Sequence, residues 1–500
     1  MKIFKKTLFW FRRDLRIQDN TALYYALRQS MEVYCVFIFD KNILDPLRSQ
    51  GIIEDRRIEF IFKSIIELSI NLQNYDSDLI IRYAIASKEI KKLVIKLNID
   101  AVMINHDYEP QAIIRDKLIK KELKVIGCKF FSYKDQVIFE KNEILNKTGK
   151  PYSIFSFYQK KWIEKVKSNK CYLQSYPVKS YLNNLVHSSK LHKIINNNII
   201  SLNDLGFCKS NLSSLGIKTG ASGAKILLNN FIKKIKNYNI NRNYPSINGT
   251  SYLSIHLRFG TISIRKLVKL IFKFIKKHYK TDCIGYFTWL SQLIWRDFYQ
   301  MILYCYPNVV NKSFKKEYDN ILWESDNYAK KNFLNWCKGY TGYPLIDSAI
   351  IQLNSSGYMH NRLRMVTASF LIKNMGINWK WGENYFANKL NDFDLASNNG
   401  NWQWSASSGC SSQPFFRIFN PIIQSKKFDY QGIFIRKYLP QLSKLSNKYI
   451  HSPWKASSYK LEKAGIILGK NYPKPILEHS LSKKNILKRY NFIKNILNRN

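Results

Sequence analysis

Short apolar runs alternate with amphipathic stretches through the first 135 residues of the chain, and this alternation restricts the fold more than any other feature. Four apolar runs predict buried strands: TLFWF (7–11), VYCVFIF (33–39), DLIIRY (78–83) and DAVMIN (100–105). Three amphipathic stretches predict helices: Arg56–Leu72, Ser87–Leu97 and Gln111–Leu123. Because strands and helices alternate, the pattern predicts a parallel, Rossmann-like sheet covered by helices on both faces. The GxGxxG fingerprint and the Walker A loop are both missing, so a dinucleotide in the usual Rossmann pose is not expected.

The pattern changes twice beyond residue 135. Residues 136–215 are rich in Asn, Ser and Lys with weak periodicity, as in KIINNNIISLND (193–204), and predict a long connector. From residue 216 to 500, apolar residues recur near a helical period. The clearest helical stretches are Ala224–Ile235, Ser263–His278, Gly285–Tyr304, Tyr343–Asn354, Asn361–Asn374 and Trp381–Leu390. The chain is therefore expected to hold an α/β domain (1–135), a connector (136–215) and an all-α domain (216–500).

Charge and composition indicate which binding partners, metal sites and cellular locations are to be expected. The 80 Lys and Arg outnumber the 35 Asp and Glu, which gives a net charge of +45. Such a surplus is typical of proteins that bind a polyanion such as nucleic acid, but a solvated basic surface in a chain rich in Lys, Asn and Ile explains it equally well. The eight Cys form no CxxC pair and the eight His form no HExxH, so no metal site is predicted. No apolar run is long enough for a membrane span and the N-terminus lacks a signal peptide, so we expect a cytoplasmic protein.

The segment NDFDLASNNGNWQWSAS (391–407) is the most informative part of the chain for function. It packs carboxylates, amides and indoles into one short span: Asp392, Asp394, Asn398, Asn399, Trp402 and Trp404. It also ends a zone, 289–404, that holds eight of the eleven Trp. Such a span can bind a polar, planar ligand, pass electrons or stack on bases. A large aromatic core is the alternative, since Trp is highly buried on average.

Three further clusters each allow two interpretations. The hydroxyl-rich run 250–254 can hold phosphate oxygens or simply begin a helix. One helical face, formed by Gln292, Trp295, Arg296 and Tyr299, suits an extruded base, but it is also typical of a half-buried amphipathic helix. In the turn 359–365, Arg362 and Arg364 point to different sides, so one can pair with an acid while the other reaches a phosphate. A solvated basic turn is the alternative.

Long motifs in a fixed order give the chain a family resemblance. They are WFRRDLRIQDN (10–20), NGTSYLS, QLIWRDFY, TGYPLIDSAI, GYMHNRLRM, FDLASNNGNWQW, FFRIFNP (415–421) and SPW (452–454). This series resembles the photolyase/cryptochrome family over almost the full chain, and within it the bacterial class I cyclobutane pyrimidine dimer photolyases. The resemblance implies an all-α domain that holds FAD and a reaction in which reduced FAD, excited by near-UV or blue light, splits dimers in UV-damaged DNA by electron transfer. A cryptochrome-type flavin photoreceptor without repair activity is the alternative.

The resemblance also implies roles for individual residues. The implied FAD contacts are Tyr238, Thr250, Ser251, Tyr252, Leu253, Ser254, Asp392, Phe393 and Asp394. Arg364 is implied as the ion-pair partner of Asp392, and Asn398 as the amide that faces flavin N5. Trp402, Trp379 and Trp323 are implied as the electron relay that photoreduces oxidised flavin. The implied contacts with the dimer or DNA are Arg242, Gln292, Trp295, Arg296, Tyr299, Asn361, Arg362, Met365 and Trp404.

Two positions depart from the family pattern. Gln292 stands where the family usually has Glu, so dimer binding is expected to persist while repair efficiency is in question. The folate-antenna pattern keeps Asn105 and Glu109, but its Asn-Glu pair is replaced by Gln111-Ala112. The expectation that 5,10-methenyltetrahydrofolate binds therefore depends on the family resemblance and is not supported by these residues. A monomer is the expected state, because it is the family default.

Overall fold

Five strands form one parallel sheet in a computed structural model, which describes residues 2–195, 201–277 and 283–497. The strands are β1 (Phe4–Phe11), β2 (Ser30–Asp40), β3 (Leu79–Ala84), β4 (Ala101–Asn105) and β5 (Lys129–Tyr133). Their order is β3-β2-β1-β4-β5, and every neighbouring pair is parallel. The central strand β1 buries Leu8, Phe9, Trp10 and Phe11 in succession, because helices cover both faces of such a sheet. The predicted parallel sheet is confirmed, with β5 as an additional strand.

Helices make up most of the remaining structure. Those of the α/β part are α1 (Thr21–Gln29), α2 (Lys41–Ser49), α3 (Arg56–Gln73), α4 (Ala86–Leu97) and α5 (Pro110–Val125). The middle of the chain holds α6 (Phe155–Ser168), α7 (His192–Ile195), α8 (Gly220–Ile232), α9 (Tyr238–Asn241), α10 (Ser254–Phe259), α11 (Ile264–Lys277) and α12 (Ile284–Cys305). The remainder are α13 (Asn327–Lys338), α14 (Pro344–Ser356), α15 (Asn361–Ser369), α16 (Trp379–Lys389), α17 (Leu395–Ser405), α18 (Pro421–Phe428), α19 (Ile433–Tyr438), α20 (Ser458–Lys463) and α21 (His479–Leu497).

The predicted helices are confirmed with small shifts of their ends. The stretch Asn361–Asn374 divides into α15 and a π-helical turn, Phe370–Asn374. His278, the predicted last residue of α11, and the NNNII part of the connector (196–200) lie outside the described residues. Among the described residues, no helix is long and apolar enough to cross a membrane.

Internal contacts separate the chain into two compact units. The first unit comprises Met1–Pro151, Gln159–Lys233 and Ser251–Tyr304, and the second comprises Tyr152–Tyr158, Lys234–Thr250 and Cys305–Asn500. The first unit has apolar cores on both sides of the sheet. The second has a helical core in which Trp336, Trp379 and Trp402 are buried. The domain boundaries near residues 135 and 215 stay a prediction. The two compact units are defined by internal contacts, and their bounds fall at other residues.

Candidate functional site

A cavity lies in the second unit and is lined by single faces of α15 and α17. The lining residues of α17 and its cap are Asp394, Ser397, Asn398, Asn401, Trp402 and Ser405, which recur three or four residues apart. Those of α15 are Asn361, Arg364, Met365 and Ala368, with the same spacing. Phe386 and Leu390 from the end of α16, followed by Asp392 and Phe393, complete the wall. The segment singled out by the sequence therefore does line a cavity.

An ion pair joins the two sides of this cavity. Arg364 Nη2 on α15 donates to both carboxylate oxygens of Asp392, at 3.0 Å each. Arg364 Nε donates to the Met359 carbonyl at 2.8 Å, so a second contact fixes the guanidinium. The Asp392 side chain is only 9% exposed. The expected Arg364–Asp392 pair is present, and it holds a negative charge at the cavity wall.

The start of α17 places two polar side chains in the wall. Asp394 caps the helix, because its carboxylate accepts from the Ser397 N–H at 3.0 Å. One turn later, Asn398 Nδ2 donates to the Glu383 carbonyl at 3.1 Å, and the side chain is 8% exposed. This bond uses one of the two Nδ2 hydrogens, so the other hydrogen and the side-chain oxygen of Asn398 have capacity for a ligand.

The opposite face of α17 is also polar, which is unusual for a buried helix. Asn399 Nδ2 donates to Glu383 Oε1 and to the Val309 carbonyl, both at 2.9 Å. Gln403 Nε2 donates to the same Val309 carbonyl at 2.9 Å. Burial raises the pKa of Glu383 to about 7, although the Asn399 hydrogen bond opposes that shift. These bonds fix the rotation of α17 and therefore the direction of Asn398 and Trp402.

The three predicted relay indoles join one core of the second unit. Trp402 lines the cavity and packs on α16 so closely that a Cβ at Gly382 would lie 2.1 Å from its Cη2 atom. Trp379 begins α16, one turn before Gly382. Glu324, which follows Trp323, donates its N–H to the Gly376 carbonyl at 2.9 Å and forms a β-bridge with residue 377. The fold thus brings all three together, and their role in electron transfer stays a prediction.

A fourth indole contacts the innermost one. Trp336 on α13 is fully buried, and its ring centroid lies 6.3 Å from that of Trp402, with the planes at 71°. Sequence reasoning did not single it out as a site residue. Its place within the tryptophan-rich zone 289–404 was the available signal.

Three arginines converge elsewhere on the second unit. Arg362 Nη2 donates to Asn243 Oδ1 at 2.7 Å, and its guanidinium lies 4.4 Å from the centre of the Phe428 ring. Burial, and then the positive charges of Arg242 and Arg417, lower the pKa of Arg362. Its Nε is buried without a hydrogen-bond partner among the described residues. Converging guanidiniums with donor capacity suit phosphate oxygens. Arg417 was missed as a site residue, although the motif FFRIFNP contains it.

The other predicted residues of the second unit occupy varied environments. Tyr238 is buried, and Arg242 lies 5.5 Å above its ring. Thr250 Oγ1 lies 3.5 Å from the Tyr358 hydroxyl. Asn361 is exposed, and Met365 and Trp404 are half-buried. Asn361 and Met365 therefore reach the cavity and the surface together, as a substrate contact requires.

Eight predicted residues belong to the first unit. Ser251, Tyr252, Leu253 and Ser254 form a tight turn into α10, in which Tyr252 has a φ of +54°. On α12, Gln292 Nε2 donates to the Thr288 carbonyl at 3.3 Å, and the Trp295 ring lies 5.2 Å from that of Tyr299.

Two of these residues are used inside the first unit. Arg296 donates to the main-chain carbonyls of Gln136 and Leu257, and Tyr299 is only 4% exposed. These contacts favour a structural role for Arg296 and Tyr299 over the predicted contact with DNA.

The two residues that match the folate-antenna pattern, Asn105 and Glu109, also form contacts inside the first unit. Asn105 Nδ2 donates to Asp14 Oδ2 at 2.6 Å and to Asn20 Oδ1 at 2.8 Å. Glu109 forms ion pairs with Arg13 and Arg258, each at 3.0 Å. Asn105 and Glu109 therefore stabilise the first unit, and a folate contact from them gains no support.

The cavity fits the FAD that the resemblance implies. Its apolar wall, which includes Ala368, Phe386 and Leu390, suits the faces of a planar ring system. Its polar groups, which include Asp392 and Asn398, suit the hydrogen-bonding edge of such a ring. Among the described residues, no three His, Cys, Asp or Glu side chains come together as metal ligands.

Comparison with known proteins agrees with this geometry. The family described as "DNA photolyase" matches residues 7–177, and the family described as "FAD binding domain of DNA photolyase" matches residues 289–492. The chain is 37% identical to the deoxyribodipyrimidine photo-lyase of Buchnera aphidicola subsp. Baizongia pistaciae over 494 residues, which cover 96% of this chain and 97% of that protein. Among solved structures, it resembles a class III photolyase from Agrobacterium tumefaciens (TM-score 0.86, 32% identity, 98% of each chain). It also resembles a Synechocystis cryptochrome (TM-score 0.82, 25% identity, 98% of this chain and 100% of that chain). The chain therefore belongs to the DNA photolyase family, and its C-terminal helical part is the FAD-binding domain of that family.

Proposed function

We propose that the protein splits cyclobutane pyrimidine dimers in UV-damaged DNA in a light-driven reaction, the activity of a deoxyribodipyrimidine photo-lyase. The single observation that carries the proposal is the cavity lined by Asp392, Arg364, Asn398 and Trp402, in a chain that matches photo-lyases over nearly its full length. The cluster of Arg242, Arg362 and Arg417 supplies a phosphate-binding surface on the same unit.

The residues of the cavity act by binding and orientation. When bound, reduced FAD would supply a light-activated one-electron donor, with no net change of oxidation state once the dimer is split. The Asp392 carboxylate, held by Arg364, would accept hydrogen bonds from the edge of the ring system. Asn398 would offer its side-chain amide to the same ring system. The buried side chains around them exclude water, so these dipoles act in a medium of low dielectric constant.

DNA is held by separate groups. The three arginines neutralise phosphates and release counterions. On the second unit, Trp404 stacks on the extruded dimer, and Asn361 and Met365 contact it at the cavity rim. Trp295, on the first unit, is a further proposed stacking contact with the DNA. Extrusion is less costly for a dimer than for normal bases, because damage already weakens stacking. Gln292 can donate and accept hydrogen bonds to the dimer, but it carries no charge.

We also propose that the chain belongs to class I within the family. The order and length of the motifs from WFRRDLRIQDN (10–20) to FFRIFNP (415–421) support this assignment. Class III is the competing assignment, because the similar Agrobacterium tumefaciens protein is a class III photolyase. Both assignments describe a photolyase, so the repair experiment below does not depend on the choice.

A repair assay tests the proposed activity. Purified protein is chemically reduced and mixed with an oligonucleotide that contains one thymine dimer, under blue light and in the dark. We expect thymine absorbance to return only in the light. Bound flavin without repair would contradict the proposal and favour a photoreceptor like the Synechocystis cryptochrome. Gln292→Glu then becomes the next variant to measure, because it restores the acid that the family usually has.

We further propose that the protein works as a monomer in the cytoplasm, with FAD as its required cofactor. Light scattering after size exclusion checks the monomer. Release and chromatography of bound chromophores check whether 5,10-methenyltetrahydrofolate accompanies FAD.

A further inference from the structure

Lys373 is a buried cation whose hydrogen bonds all go to one segment of the chain. It lies on the π-helical turn that follows α15, and its side chain is fully buried. Its Nζ donates to Ser407 Oγ at 2.9 Å, to the Phe415 carbonyl at 3.3 Å and to the Arg417 carbonyl at 3.2 Å. An ammonium has three N–H donors, so the segment 407–417 satisfies all of them.

This segment links the cavity to the arginine cluster. It leaves the end of α17, has no regular secondary structure, and ends just before α18. Phe416 within it is 64% exposed, and Arg417 contributes to the positive potential at Arg362. Because Lys373 holds the carbonyls on both sides of Phe416, it fixes the backbone from which the Arg417 side chain extends.

The charge of Lys373 is costly for stability. Among the described residues, no carboxylate forms an ion pair with it, and burial lowers its pKa to about 7. The centre of the Tyr490 ring lies 5.8 Å from Lys373 Nζ. A second lysine, Lys315, binds the same segment. An apolar side chain of similar size would bury without this penalty. We therefore expect the ammonium to fix the position of segment 407–417 and to add little to the stability of the fold.

We propose that Lys373 is a positioning residue for substrate binding, which holds segment 407–417 so that Arg417 meets a phosphate of the damaged strand beside Arg362. The inference rests on the proposed function, because it concerns how the same substrate is bound. Lys373 itself does not touch DNA; it acts through Arg417.

A double-mutant cycle tests this coupling. The dissociation constant for a dimer-containing oligonucleotide is measured in the dark by fluorescence anisotropy, for the unchanged protein, Lys373→Met, Arg417→Ala and the double variant. We expect each single change to weaken binding about tenfold, and the double variant to bind no more weakly than Arg417→Ala alone. Repair at saturating DNA should keep its turnover rate in Lys373→Met, because only binding is affected.

Lys315→Met is the matched control. Lys315 Nζ donates to the Ser407 carbonyl at 3.3 Å and to Ser412 Oγ at 3.0 Å, so it holds the same segment at a distance from Arg417. Its effect on binding should add to that of Arg417→Ala. Additive effects of Lys373→Met and Arg417→Ala, or unchanged binding by Lys373→Met, would overturn the inference.

Two further arms keep the test decisive. If Lys373→Met fails to fold, Ser407→Ala removes one of the three acceptors without removing the charge. It should weaken binding by a smaller factor, again without adding to Arg417→Ala; additivity there overturns the inference. If the unchanged protein shows no preference for dimer-containing over intact DNA, the proposed function fails and the inference fails with it. Normal preference with no coupling rejects the inference alone.

Discussion

Asp392 is the residue at which one substitution removes a charge from the cavity and leaves its partner unpaired. In Asp392→Ala, the Arg364 guanidinium loses both of its 3.0 Å contacts with the carboxylate, and the cavity loses its acceptor for the ring edge. We expect the purified variant to contain little flavin, measured as visible flavin absorbance per protein. Asp326→Ala, which removes a helix cap outside the cavity, is the control and should keep its flavin. A yellow, fully loaded Asp392→Ala protein would show that the carboxylate does not bind the cofactor.

Trp402 lines the cavity and contacts two other aromatic side chains, so its substitution separates repair from photoreduction. In Trp402→Phe, an aromatic ring remains at this position, but it is smaller than an indole and much harder to oxidise. We expect blue light to fail to reduce oxidised FAD, while chemically reduced protein still repairs dimers. Trp336→Phe is the control, because Trp336 touches Trp402 but is not one of the predicted relay residues. Normal photoreduction by Trp402→Phe, or its loss only in Trp336→Phe, would mean that the relay is wrongly assigned.

At the scale of helices and strands, the sequence was most informative where burial is on both sides of an element. The runs that became β1 to β4 are mainly apolar, and their predicted ends differ from the observed ones by few residues. The strand β5 was missed because all of its residues are half-buried or exposed, whereas β3, at the opposite edge of the sheet, begins with three buried residues and was found. A strand without buried positions has no apolar run to find.

The helix that matters most, α17, was not predicted as a helix, and the reason is physical. One of its faces lines the cavity, and the other buries Asn399 and Gln403 against carbonyl groups. No apolar stripe exists, so a search for helical periodicity finds nothing. Its functional residues were found through the family motif instead. Glu383, Lys373 and Arg417 were missed because their roles come from contacts between distant parts of the chain.

The packing of α16 against α17 makes stability depend on pH through Glu383. Burial raises the pKa of this carboxyl from its usual 4.5 to about 7, so the folded state binds a proton more tightly than the unfolded state. The free energy of unfolding should therefore fall as pH rises from 4.5 to 7, by at most about 3 kcal/mol from this group. Glu383→Gln should remove that part of the decline and keep the bond from Asn399. Urea unfolding at pH 5 and pH 8 checks this, with the exposed Glu462→Gln as control; equal pH dependence in all three proteins would contradict it.

At the scale of the whole molecule, the charge of +45 needs to be divided between a solvated surface and a binding surface. A binding surface can be recognised where like charges are held close together. Arg242 and Arg417 lie close enough to Arg362 for their positive charges to lower its pKa. Like charges held together in a folded protein are typical of a site for an anion. Scattered lysines on the first unit, such as the exposed Lys121, meet no such criterion.

The salt dependence of DNA binding measures this division. Each phosphate that a protein contacts adds about 0.9 to the slope of log Kd against log salt concentration. Arg242→Ala should therefore reduce the slope by about 1, whereas Lys121→Ala should leave it unchanged. The measurement is a titration of dimer-containing DNA at several salt concentrations in the dark. If both variants reduced the slope equally, DNA would be attracted by the charge of the whole surface, and the arginine cluster would not be a distinct phosphate site. If only Arg242→Ala reduced it, most of the +45 would be a solvated background on which a small site is built.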